Sequence, residues 1–554
     1  MKTQFILSLL LLSVVTAGAK TIHKIENPTY VGIYDGNMKI VSVRTTEEAT
    51  VLTFQYSGEG FGTFSPKSYI VDEQGNHYEL IGQKGFNEDS LERFVPQKKG
   101  KYELRFQPLP ANTRIFDFIE DFYNVTSSRF YGIRKNDVPF TVSNPLPHNE
   151  GEASLPDMDF KVDSVLITGH IKNYVSEKHK IEKVSMLYSN VTRYNAPVKM
   201  DKNGKFKMKI RVDGPTWDVL QMNGLHIPIM LYPKDSVNLQ ITLEDESNRK
   251  TVQYSSKLQK VFSRLMQCAP MIWTNYYILP NDSTENYAAK FEQMTPESIQ
   301  KRFDDYDTMG LYLSGKYGLN RIETEMLRSY FSLLIATEVT ALTSRYFSDL
   351  YEKESPGDYN AARNKWKNSD TPFYDICISN IRSESNAFLC VPYRNILLSR
   401  FNMNHMAPHY KHEEDFQYYQ WETILGKKIE PSGNGDFPGV TYSKDEIKKV
   451  EEFEKMYAEH YNNWLLKLIR KWRNKGEKSD VIFEQAYFLG IISNMPMAPM
   501  FSSEYLYQQF TLCRKLFTHP SFVKLAGELL WEQEKECYQE LEEWEYRNSL
   551  NKKQ

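Results

Sequence analysis

The chain has 554 residues, 41% hydrophobic and 25% charged, which is long enough for about three or four domains with sizeable cores. Its 68 Lys and Arg nearly balance 71 Asp and Glu, and a net charge of −3 gives no reason to expect nucleic acid or an anionic membrane as partner. Aromatic content is high at 14%, led by 36 Tyr; this fits large cores and interfaces, or else exposed stacking surfaces for sugars or peptides.

The opening MKTQFILSLLLLSVVTAGAK combines Lys2, an apolar run over 5–15 and the small residues Ala17, Gly18 and Ala19. This pattern predicts a secretory signal over 1–19. The run is well short of the roughly 20 residues that span a bilayer. No cysteine follows it, so the expected destination is the periplasm or cell envelope, and not as a lipoprotein. No later stretch is long and apolar enough to insert, so membrane insertion after cleavage is not expected.

From residue 20 to 141 the hydrophobic period is two, with Gly, Pro and Asn as punctuation. TVLTFQY puts Leu52, Phe54 and Tyr56 on one face, and Gln74-Gly75-Asn76 separates two strand-like runs as a hairpin. KGKYELRFQPLP alternates Tyr102, Leu104 and Phe106 before Pro108 and Pro110 stop it. These short strands predict an immunoglobulin-like antiparallel sandwich. Residues 142–157, VSNPLPHNEGEASLPD, read as a linker.

Residues 158–246 predict a second, smaller sandwich. Asn203-Gly204 is a hairpin turn followed by Phe206, Met208, Ile210 and Val212 on one face. HIPIMLYPKDSVNLQITLED, residues 226–245, reads as two strands in a hairpin around Tyr232-Pro233-Lys234-Asp235.

Over 247–554 the period becomes 3.6. Thr295-Pro296 caps and opens a helix, and 321–353 is one long helix or a joined pair. Ser443 with Glu446 forms a capping box, and further helices are predicted over 503–518 and 521–547. Lengths are unequal and no period repeats. The fold class expected is therefore multidomain β + α: two antiparallel β-sandwich-like domains, then a large non-repetitive all-α domain.

Catalytic motifs are absent: there is no GxSxG, HExxH, GxxxxGK[ST] or strand-to-helix GxGxxG. Gly58 to Gly62 (GEGFG) sits between β segments and reads as a plain loop. His405, His409 and His412, with Glu413 and Asp415, are the candidate metal ligands, since imidazoles and carboxylate suit zinc; a solvated helix start is the competing reading. The five cysteines, Cys268, Cys377, Cys390, Cys513 and Cys537, contain no CxxC. They read as small buried apolar residues rather than exchanging thiols. ELLWEQEKECYQELEEWEY, residues 528–546, places Trp531, Tyr538, Leu541 and Trp544 on one stripe. That stripe either packs on its own domain or docks a partner. No catalytic residue and no cofactor is implied.

YELRFQPLPANTRIFDFIED followed by FYGIRK resembles the N-terminal sandwich of exported TlpA-like thiol-disulfide oxidoreductases of Gram-negative bacteria. The matching positions are Phe106, Pro108, Leu109, Pro110, Asp117, Phe118, Ile119 and Glu120. NGKFKMKI and LYPKDSVNLQI are similar to the small domain that follows there, with Lys234 where that family has glycine, and LYQQFTLCRKLFTHPSFVKLAGELL is similar to its linker helices. The family's Trp-Cys-x-x-Cys motif has no counterpart, so no catalytic cysteine is carried over. The resemblance implies the accessory region without its thioredoxin domain: a non-catalytic binding or scaffold protein, with a separate thioredoxin-like enzyme as partner. The alternatives are an unrecognised hydrolase or metal-dependent enzyme, or a glycan-binding module.

Overall fold

The computed structural model describes most of residues 21–139 and 163–267, then 294–354, 371–382, 386–391, 523–528 and a few single positions. Two compact units are distinguished: residues 1–147 with 267–285 and 304–319, and residues 148–266 with 286–303 and 320–554. The predicted signal, the linker apart from Leu155, and the helices expected from Ser443 onward lie outside the described residues, save isolated helical positions and 523–528.

The first unit holds β1 (Thr21–Glu26), β2 (Thr29–Ile33), β3 (Met38–Thr46), β4 (Thr50–Tyr56), β5 (Gly60–Phe61), β6 (Tyr69–Asp72), β7 (His77–Lys84), β8 (Pro96–Gln97), β9 (Gly100–Phe106), β10 (Phe116–Ile119) and β11 (Arg129–Arg134). Nine of these form one sheet in the order β1-β3-β4-β9-β7-β6-β10-β11-β2, and β5 pairs with β8. This corrects the expected two-sheet sandwich. Because β7 pairs with β6 on one side and β9 on the other, what could have been two facing sheets is continuous. The single antiparallel sheet curls so that its inner face closes on one core. Aromatic rings fill that core: Phe54 lies 5.3 Å from Phe64 and 5.5 Å from Phe118, which in turn lies 5.9 Å from Phe130.

The β6–β7 hairpin forms as expected, turning at Gly75 with φ +85°. Asp72 organises it. Its Oδ1 accepts the Gln74 and Asn76 amides at 2.9 Å each, and its Oδ2 accepts Asn76 Nδ2 at 3.0 Å and the Tyr78 hydroxyl at 2.8 Å. Burial alone would raise the Asp72 carboxyl, but these hydrogen bonds outweigh it and hold the pKa below its ordinary value of 3.8. Burial and the neighbouring carboxylate push Tyr78 up to about 12.

In the second unit, β12 (Asp163–Lys172), β13 (Lys183–Met186), β14 (Asn195–Pro197), β15 (Lys199–Met200), β16 (Lys205–Val212), β17 (Thr216–Met222), β18 (Leu225–Leu231), β19 (Ser236–Leu243) and β20 (Lys250–Ser255) make two sheets, ordered β15-β16-β12-β19-β20 and β14-β13-β17-β18. Both sheets feed one core, with Ile167, Phe206 and Leu239 from the first and Leu220, Ile227 and Ile229 from the second. The Asn203-Gly204 turn is present, Gly204 at φ +79°, and β16 alternates buried and outward as expected.

Two expectations fail here. β18 and β19 are not a hairpin: β18 pairs with β17 in one sheet, while β19 pairs with β12 and β20 in the other. The Tyr232–Asp235 turn therefore carries the chain across the core from sheet to sheet. Lys234 takes φ +65° in it, the left-handed geometry that favours glycine. Nor is the larger sheet purely antiparallel, because β12 and β19 run parallel.

The large all-α domain over 247–554 is not shown. Among the described residues the protein is mostly β, and β20 itself lies beyond residue 247. The described helices of more than isolated residues are few: α1 (Ser263–Gln267), α2 (Pro296–Tyr317), α3 (Arg321–Glu354), α4 (Thr371–Asn380), a 3-10 turn at Asn386–Cys390 and the stretch 523–528. The starts of α2 and α3 have side-chain caps. Thr295 Oγ1 accepts the Ser298 amide at 3.1 Å. At α3 the Asn320 side chain accepts the Glu323 amide and Glu323 accepts the Asn320 amide, each at 2.8 Å, a reciprocal capping box. Glu323 Oε1 also takes the Arg264 and Leu265 amides at 2.9 and 2.8 Å, so one fully buried carboxylate joins the starts of α1 and α3. Burial raises its pKa, opposed by those backbone hydrogen bonds.

A lowered carboxyl pKa contributes stability above the unfolded value that is lost as pH falls through the folded one. The Asp72 variant D72N should therefore be less stable than the parent at neutral pH, with the gap narrowing below the ordinary value of 3.8. Urea unfolding of both proteins across that range checks this; a gap independent of pH would contradict it.

Candidate functional site

The most developed ionisable cluster in the first unit gathers on β10, β11 and the C-terminal part of α2. In FDFI every residue of β10 is buried, so the sequence places a carboxylate, Asp117, between two core aromatics with no face open to water. β11 accommodates it by a bulge. Phe116 pairs with Ile133 and Phe118 with Phe130, which leaves Tyr131 and Gly132 opposite Asp117 alone. Gly132 takes φ +62°, as a bulge of this kind requires, and its amide donates to Asp117 Oδ1 at 2.7 Å.

Helix α2 supplies the counter-charge. Asp305, Met309, Tyr312 and Lys316 fall at helical spacing on one face. The Lys316 ammonium lies 2.5 Å from Asp117 Oδ2, and the Tyr312 hydroxyl donates to Oδ1 at 3.2 Å. The ammonium also sits 5.6 Å from the centre of the Tyr312 ring. Burial, reinforced by Asp117, pushes the Tyr312 hydroxyl well above the usual tyrosine range. Tyr131 is raised by burial too, against the opposing pull of Arg129, itself among the largest fully buried side chains. Burial lowers Arg134, while Asp305 holds it up in part.

Chemically this is a clamp. Asp117 is wholly buried and Lys316 only 10% exposed, and the carboxylate already accepts an amide, a hydroxyl and an ammonium. A reacting group must reach its substrate, and this carboxylate has no open approach. Glu120 acts similarly nearby, accepting the Ser65 amide at 3.2 Å and the Ser128 amide at 2.7 Å. Leu109 is buried, its amide bonded to Thr50 Oγ1 at 2.9 Å. Leu109, Asp117 and Glu120 thus have structural roles here.

His405, His409 and His412 lie outside the described residues, as do Cys268, Cys513 and Cys537. Among the described residues no group of His, Cys, Asp and Glu is arranged to hold a metal ion. Cys377 and Cys390 are both buried, and burial raises the Cys377 pKa far above the ordinary range. Trp531 of the C-terminal stripe is 64% exposed. Gly60–Phe61 of the glycine loop forms a short ladder with Pro96–Gln97. No helix among the described residues is long and apolar enough to cross a membrane. Sequence reasoning missed Lys316; its only local signal is a lysine four residues after Tyr312 on the helix face that also carries Met309. No family model matches the chain, and no curated protein matches it.

If Asp117 is clamped by Lys316, Lys316→Met leaves a buried carboxylate without its cation and should cost about 3–5 kcal/mol. Adding Asp117→Asn to that variant should cost less than the sum of the two single changes. Denaturant unfolding of the full chain, followed by near-UV circular dichroism, measures both; additive losses would contradict the pairing.

Proposed function

We propose that the chain is an exported, non-catalytic binding or scaffold protein of the cell envelope, serving a thioredoxin-like enzyme made as a separate chain. Four features support this: the signal-like start, the absence of CxxC, the resemblance to the accessory region of TlpA-like oxidoreductases, and the chemistry of the described thiols. The last carries most weight. Disulfide exchange needs an accessible, low-pKa thiolate, whereas Cys377 and Cys390 are buried and Cys377 is held protonated by its surroundings. The proposed partnership involves neither nucleic acid nor membrane insertion.

Insulin reduction by dithiothreitol is the direct test. The purified mature protein should not accelerate it beyond a no-protein control, and acceleration lost on Cys377→Ser or Cys390→Ser would overturn the reading. The same preparation should hold little zinc. Stoichiometric zinc that disappears in a His409→Ala, His412→Ala double variant would favour the metal-dependent alternative instead.

A further inference from the structure

The outward face of the five-stranded sheet is uniformly basic or neutral, in a chain whose acidic residues outnumber its basic ones. Along β16 the inward residues Phe206, Met208, Ile210 and Val212 are buried, so Lys205, Lys207, Lys209 and Arg211 share the other face. That places cations every second residue, about 6.7 Å apart. The register fixes their neighbours across the sheet. Lys207 lies beside Thr168, then Asn238 and Ser255; Lys205 lies beside His170, then Gln240 and Gln253; Lys209 lies beside Leu166 and Ser236. No outward position of β12, β16, β19 or β20 carries Asp or Glu.

The acidic groups close by are at the margins and already engaged. Asp201 accepts the Asn203 and Lys205 amides in the turn, and Asp163 lies 4.0 Å from Lys234 at the sheet's end. Among the described residues neither Lys207 nor Lys209 has an ion-pair partner, and both are exposed. Beside the cations, Asn238 Nδ2 donates to Thr168 Oγ1 at 3.1 Å and Gln240 Nε2 to Asn238 Oδ1 at 2.7 Å, a ladder of amides and hydroxyls.

The geometry points to this face as a docking platform for an acidic polysaccharide. A row of cations meets carboxylate or sulfate groups spaced along a polyanion, while the adjoining amides and hydroxyls can hydrogen-bond sugar hydroxyls. Single-stranded nucleic acid is held largely by stacking on aromatic side chains, and the outward positions named here supply only the His170 ring. A membrane surface would be met by apolar or aromatic insertion beside the cations, and Leu166 alone offers that. This inference stands whether or not the chain serves a thioredoxin-like enzyme.

Binding of the full mature chain to polygalacturonate at low salt tests it, with neutral dextran, anionic phospholipid vesicles and oligothymidylate as comparisons. The expected result is binding to polygalacturonate but not dextran, weakened by added salt and by about tenfold or more in the variant K207E/K209E. Both lysines are exposed, so that variant should keep the parent's melting temperature; if it does not, K207Q/K209Q should still weaken binding. N238A/Q240A should weaken it as well with little loss of salt dependence. No binding, binding untouched by the lysine variants, or tighter binding to vesicles or oligothymidylate would overturn the proposal.

Discussion

A carboxylate buried without compensation is among the most costly features a core can contain, and Asp117 sets that problem at the centre of the first unit. Its solution dictates much around it. The bulge at Tyr131 and Gly132 exists where an amide must turn toward Oδ1, and Gly132 supplies the left-handed backbone that allows it. Lys316 and Tyr312 complete the set from α2. An ion pair of this kind gains little net stability over well-packed hydrophobic residues, but losing one member is severe. Its effect is to select one docking of residues 304–317 on β10 and β11 over others that the same apolar contacts could support.

The second unit solves the same kind of problem chiefly with backbone amides. Glu323 is fully buried, yet its oxygens accept three backbone amides at the starts of α1 and α3. Helix starts leave such amides without intrahelical partners, so one carboxylate satisfies groups from two helices. Asp72 applies the device to a hairpin. In each case an acidic side chain substitutes for backbone partners that a turn or helix start lacks, and the sequence places it beside apolar residues.

Local features were legible because their signals are local. Gln74-Gly75-Asn76 and Asn203-Gly204 mark turns through residues that accept positive φ, Thr295-Pro296 marks a helix start, and the 3.6 period of Arg321–Glu354 survives as one helix. The failures concern partner choice. Alternation along β18 and β19 looks the same whether a strand pairs with its neighbour or crosses to another sheet, so the presumed hairpin was a sheet-to-sheet crossing. Nothing in HYELIGQK reveals that β7 pairs on both sides and fuses two halves into one curled sheet. KTVQYS, which becomes β20, is too short to announce a strand within a stretch read as helical. Asp117 could be singled out as a charge among aromatics, but its partner lies 199 residues on.

The functional account follows from where reactivity is and is not available. The described acids and thiols most deeply set in the structure are committed to hydrogen bonds or shielded by apolar walls, while the outward face of β16 displays Lys207 and Lys209 to solvent. That distribution suits a protein that binds more than one that transforms, and it rests on the buried clamp holding helix and sheet as one body within the first unit. Hydrogen exchange read by mass spectrometry tests this most directly. Amides of 304–317 should open together with those of 116–134 in the parent, and Lys316→Met should make the helix exchange much faster while the sheet remains partly protected. Independent exchange of the helix in the parent, or unchanged protection in Lys316→Met, would contradict the account.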